Sequence, residues 1–232
     1  MLSHRALRIS CRGAMRTRGA DDALASRRKR RAIRLLFSIA LLFALLMAFA
    51  FTLACVTTVT PPTRPLDPVN VYLIDHGRTS SLVLPTADGG LIRYVYGNWD
   101  WYALIHQTLW TGLRALVWPS PGALGRHRYS GPADPANVRR IFAGWSEQIH
   151  PIVVSRPEAA RLERELDARF RAHAATLHLN REYDLEFIRD PDAYHLFHDS
   201  NHVIADWLRR LGCRVRGPAF WAKWEVREGG KD

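Results

Sequence analysis

Cysteine is scarce: of the three in 232 residues, only Cys213 lies beyond residue 55. No disulfide can form within the chain past that residue, which excludes a small stapled scaffold even in an oxidising compartment. Cys213 reads as a small buried apolar residue just past a helix end. Charge is missing altogether from residues 35–59, LLFSIALLFALLMAFAFTLACVTTV, and twenty-five uncharged residues suffice to cross a bilayer. Acidic residues are almost absent ahead of that run: residues 1–34 hold eleven Lys and Arg, including RRKRR at 27–31, against Asp21 and Asp22. The remainder is nearly neutral, so most of the formal net charge of +11 belongs to this tail. A positive charge confined to the flank of an apolar run gives no support to a nucleic-acid partner.

The basic flank also orients the segment, because Lys and Arg stay on the cytoplasmic side. The expected arrangement is a bacterial inner-membrane protein with its amino terminus in the cytoplasm and its carboxy-terminal domain in the periplasm. Three readings of the apolar run compete. An uncleaved single-pass anchor ranks first. A lipoprotein signal ending at Cys55 ranks second, because Thr52 stands where a lipobox wants Leu. A cleaved signal peptide ranks third, because the run is too long and starts too late. The resulting division is a basic tail over 1–34, an anchor over 35–59, a Pro-rich linker over 60–68, one domain over 69–226 and a short tail over 227–232.

Within the domain, VNVYLID at 69–75, the strand at 81–84 and LIRYVYG at 91–97 are joined by short turns and predict an antiparallel meander. The last strand alternates, with Leu91, Arg93 and Val95 on one face and Ile92, Tyr94 and Tyr96 on the other. Helical spacing runs from Asn98 to about residue 117. Residues 119–135 read as loop from their Pro and Gly content. A helix over 136–148, a strand over 150–155, a helix over about 157–175 and a strand over 183–190 come next. The last strong helix starts at Asp199 or Ser200 as cap, turns Val203, Ile204, Trp207, Leu208 and Leu211 inward, and ends at Gly212. RVRGPAFWAKWEV closes the domain as an edge strand. Most of the aromatics in YVYGNWDWY are expected to be buried.

Three segments carry a family resemblance: VNVYLIDHGRTSSLVLP at 69–85, YVYGNWDWY at 94–102 and HDSNHVIADWLRRLG at 198–212. Together they resemble the bacterial family of urease-region hypothetical proteins, DUF2459, which looks like a circularly permuted relative of the NlpC/P60 papain-like domains. The resemblance implies an α+β fold: a transmembrane helix followed by a papain-like domain with an antiparallel sheet and packed helices. In the family pattern a histidine precedes the LVLP strand and a Cys-Asn pair opens a helix. Here Gly77, residues 82–85, Gly97, Trp99, Tyr102, Asn201 and the helix end at Gly212 align, but Thr79 falls at the histidine and Ser200 at the cysteine.

Both substitutions favour a non-catalytic binding or scaffold module with a peptide or cell-envelope ligand. The alternative is an amide or ester hydrolase, or an acyltransferase, in which Ser200 is the nucleophile, His76 the base and Asn201 its neighbour in the helix start. Against both stands the plain reading of Ser200 as a helix cap, Asn201 as part of a capping turn and His76 as a turn residue. A third possibility is a metal-binding module through His195, His198 and His202, since on a helix His198 and His202 would lie one turn apart, as would His202 and Asp206. No metal ligand is assigned to the site, and no cofactor.

The topology is open to a direct test. A reporter enzyme that works only in the periplasm, fused after Asp232, is expected to be active in cells; a stable but inactive fusion would contradict the assigned orientation.

Overall fold

The computed structural model describes residues 29–31, 33–51, 56–105 and 118–227. The chain divides into two compact units, Met1–Ala54 and Cys55–Asp232. In the first, helix α1 (Lys29–Phe51, 23 residues) is long and apolar enough to cross a membrane, and its apolar window is not buried by the protein. At 1.5 Å per residue it spans about 34 Å, enough for a hydrocarbon core of about 30 Å. One such helix near the amino terminus fits an anchor and a signal sequence alike.

The apolar run does not serve the helix to its end at residue 59. Thr57–Thr60 forms strand β1 of the second unit, pairing antiparallel with β9 (Arg214–Arg216) and parallel with β10 (Trp224–Val226). The expected single edge strand after Gly212 is therefore two short strands flanking β1, with Val59 fully buried. The Pro-rich stretch is likewise tied down: Leu66 N donates to Ser155 Oγ at 2.9 Å, and Arg156 N to the carbonyls of Leu66 and Asp67.

The main sheet has seven strands in the order β6-β2-β3-β4-β5-β8-β7, every pairing antiparallel. These are β2 (Pro68–Asp75), β3 (Ser80–Pro85), β4 (Leu91–Asn98), β5 (Ser120–Tyr129), β6 (Gln148–Ser155), β7 (His178–Asn180) and β8 (Leu185–Tyr194). The β2-β3-β4 meander matches the expectation. β5 does not: a ten-residue strand replaces the predicted loop. Its glycines mislead because they serve packing. A side chain at Gly122 would collide with the Asp192 carbonyl and the Tyr96 hydroxyl, and one at Gly125 with Phe187 and Val95. Pro121 falls at a register shift against β8, where no ladder bond needs its nitrogen.

Strand alternation sends side chains to two faces. One face carries Leu73, Leu82, Leu84, Ile92 and Tyr94 against helices α3 (Arg156–Ala172) and α4 (Ser200–Arg210). The α4 stripe of Val203, Ile204, Trp207, Leu208 and Leu211 is buried there, as its spacing predicts. On the other face Tyr72, Ile74, Val83 and Leu91 meet Val138 and Phe142, the first from α2 (Pro135–Ile141) and the second just past its end. This helix is shorter than the predicted 136–148. Of the helix expected after Asn98, one turn over Trp99–Ala103 is formed, and the expectation for 106–117 lies outside the described residues.

At Gly97 the fold makes room for an aromatic ring. A Cβ on it would lie under 3.0 Å from ring carbons of Tyr102, which packs flat on this part of β4. Gly97→Ala is expected to destabilise the fold by about 1–3 kcal/mol, as overpacking does, and to displace Tyr102; an unchanged melting temperature would show that the ring has other room.

Candidate functional site

The amino terminus of α4 docks against the turn between β2 and β3, and buried hydrogen bonds make the joint. Asn201 Nδ2 donates to the Arg78 carbonyl at 3.0 Å, and its Oδ1 accepts from Ser80 Oγ at 3.0 Å. Ser80 Oγ in turn accepts from Trp224 Nε1 at 2.7 Å, so β10 joins the same network. Ser80 and Asn201 are each 2 % exposed. An amide so deeply buried must have its bonds made, and here both ends of the Asn201 side chain are satisfied.

This joint sets Ser200 beside Thr79. Both side chains lie near the Tyr102 phenol, and Ser200 also lies near that of Tyr194. Burial pushes the Tyr102 pKa up to about 12, with the hydroxyl contacts opposing it, and raises that of Tyr194 further for the same first reason. Both phenols are therefore neutral donors near pH 7. Thr79 and Ser200, where the resemblance would expect a base and a nucleophile, are both near the Tyr102 phenol, so this region carries two aliphatic hydroxyls and a phenol.

Ser200 is not the helix cap. Asp199 fills that role, accepting from Asn201 N at 2.9 Å and His202 N at 3.0 Å, while Ser200 begins the helix proper, 3 % exposed. The Asp199 carboxylate also takes the His202 ring, Nδ1 to Oδ1 at 2.9 Å.

His76 belongs to a different set of contacts. Ser81 and Val83 point to the α2 face, and Ser80 and Leu82 to the α4 face. His76 goes with the first pair: its Nε2 lies 2.9 Å from Ser81 Oγ and 3.2 Å from Arg93 Nη2, and its Nδ1 lies 3.0 Å from the Trp145 carbonyl. Burial first, and the Arg93 charge second, push its pKa down to about 4. The structure thus brings together Ser200, Asn201 and Thr79 and places His76 elsewhere.

The histidine cluster assembles only in part: His195 and His198 exchange backbone hydrogen bonds, with ring centroids 5.9 Å apart, and His198 packs edge-on against Tyr96 at 5.2 Å, while His202 turns to Asp199 and Phe220. Among the described residues no group of three or more His, Cys, Asp or Glu side chains is placed to hold a metal ion.

Sequence reasoning passed over Tyr194, Ser80, Ser81 and Trp224, which no local pattern marks. Arg93 did leave a signal: it sits on one strand face between Leu91 and Val95, where a charge is out of place. It is 6 % exposed, on the same face as His76. No family model matches the chain, and comparisons with curated proteins and with solved structures find no match.

Cap and pocket can be separated by substitution. Asp199→Ala is expected to lower stability by about 1–2 kcal/mol, with Asp199→Asn recovering most of it. Ser200→Asn, which a capping position would accept, is expected to destabilise by about 1–3 kcal/mol through overpacking among the phenols. Melts of the full chain in detergent decide, and tolerance of Ser200→Asn would return the cap to Ser200.

Proposed function

We propose that the chain is a membrane-anchored module of the permuted papain-like kind with its catalytic positions substituted. In this reading it lies in the bacterial inner membrane with its second unit in the periplasm, and it acts by binding a peptide or another cell-envelope ligand. The observation that carries the reading is the surroundings of Ser200. A serine hydroxyl attacks an amide or ester only when a neighbouring base takes its proton. The phenols beside it, Tyr102 and Tyr194, are held protonated by burial, and the adjacent Asp199 carboxylate is taken up as the helix cap and by the His202 ring. His76 has both ring nitrogens engaged on the other sheet face and a pKa of about 4, which makes it a weak base.

The papain-like part of the proposal draws support from the nearness of Thr79 and Ser200 to one phenol, since the resemblance to DUF2459 and NlpC/P60 domains anticipates a catalytic pair at these positions. For binding, the segment just ahead of α4 exposes Phe197 and Leu196, with Phe197 and Phe220 ring centroids 6.3 Å apart. Exposed aromatic surface of this kind is what a peptide side chain covers. A fluorophosphonate probe applied to the full chain in detergent is expected to leave it unlabelled. Labelling that disappears in both Ser200→Ala and His76→Ala, with the fold intact, would replace the binding module with a hydrolase.

A further inference from the structure

We propose that His76 and Arg93 form an acid-released latch that holds the β2–β3 turn, and through it the buried start of α4, in place. The inference rests on the reading of the Ser200 region as the functional site. Arg93 is a buried guanidinium without a carboxylate among the described residues. Its Nε donates to Ser81 Oγ at 3.1 Å, its Nη2 to His76 Nε2 at 3.2 Å, and Nη1 has no partner. The Phe142 and Trp145 rings each lie 5.7 Å from it, supplying the faces of two aromatic systems. Breaking a partner away from a buried cation is costly, and here the partners are neutral.

The arrangement works only while His76 is neutral. Its Nε2 accepts from Arg93, so Nδ1 must carry the proton and donate it to the Trp145 carbonyl. A second proton on the ring turns Nε2 into a donor, removes the acceptor for Arg93 and sets two cations 3.2 Å apart. The other groups facing the ring do not offset this. Ser81 Oγ from β3 accepts from Arg93 and has a second lone pair for a protonated Nε2, but it carries no charge to offset the two cations. Tyr129 from β5 is a neutral phenol beside Arg93, and Asp184 acts on Arg93 by charge at a distance. Glu147, ahead of β6, reaches toward Gly77. Asp75 Oδ1 is taken by Gly77 N at 2.6 Å, and burial, reinforced by Glu147, raises the Asp75 pKa so that it loses its charge early as the pH falls.

The sign comes from the His76 pKa, pushed down to about 4 from an ordinary 6.5. Stability from the neutral ring is fully present above pH 6.5 and is lost as the pH falls through about 4. Release is transmitted because the turn is short and serves both faces. His76 N donates to the Thr79 carbonyl at 2.9 Å, and the Arg78 carbonyl holds Asn201. A ring leaving the α2 face moves the same short turn whose Arg78 carbonyl anchors Asn201 on the α4 face.

Amide hydrogen exchange of the full chain in detergent, expressed as protection factors at pH 7 to 3.5, tests the latch. In the unsubstituted protein, protection of residues 76–80 and 200–202 is expected to fall together as the pH drops from 6.5 towards about 4, by about tenfold per pH unit, and to level off below that midpoint. His76→Gln, neutral throughout, is expected to abolish the fall, and Arg93→Gln, which removes the opposing charge, to move the midpoint to higher pH. Opening of His76→Gln at the same pH as the parent, or opening that spares 200–202, would overturn the proposal. Should His76→Gln not fold, Arg93→Gln decides: an unmoved midpoint rejects the latch. The measurement reads the turn and not the ligand, so a failed latch leaves the binding reading standing, and labelling at Ser200 leaves the latch standing.

Discussion

The second unit is organised around one buried amide. Asn201 ties the start of α4 to the Arg78 carbonyl and, through Ser80, to Trp224 of β10. Its cost is asymmetric: with both ends bonded it contributes modestly, but each group left unpaired in so dry a place would cost about 1–3 kcal/mol. Small sheet, main sheet and helix are therefore not independently adjustable. The position of Ser200 beside Thr79 is a consequence of that joint, since both residues adjoin its anchoring atoms in the chain.

A cluster of hydroxyls behaves differently from a site built around an imidazole. Phenols near Ser200 and Thr79 donate and accept without changing charge over the ordinary pH range, because burial raises their pKa values. Such groups can hold a ligand by hydrogen bonds without taking up or releasing a proton. The titrating group of this region is on the opposite face, where His76 meets Arg93. A turn of four residues joins the two environments, and its backbone closure from His76 N to the Thr79 carbonyl makes it a stiff link.

How far the sequence could be read depended on the range of the interactions involved. The α4 stripe, the meander from β2 to β4 and the inward row of α3 (Ala159, Leu162, Leu166 and Phe170) are all as their spacing indicates, because burial of one face leaves a period in the chain. β5 was illegible, since Gly122 and Gly125 look like loop residues until Tyr96, Asp192 and Phe187 are seen against them. Asp199 and Ser200 are equally good caps by composition, and only the backbone geometry at Asp199, extended there and bonded to Asn201 N and His202 N, chose between them.

By itself the sequence determined an uncharged run long enough to span a bilayer, the polarity of its flanks, an α+β composition and the inward faces of the main helices. These are properties of neighbours in the chain, where charge, turn residues and periodicity act over a few positions. Tertiary structure alone decided that residues 57–59 belong to a sheet, that Ser200 faces phenols, and that His76 turns to Arg93 and not to Ser200. Those outcomes depend on partners such as Ser80 and Asn201, 121 residues apart. At such separation nothing in the local pattern records which polar groups must satisfy one another once water is gone.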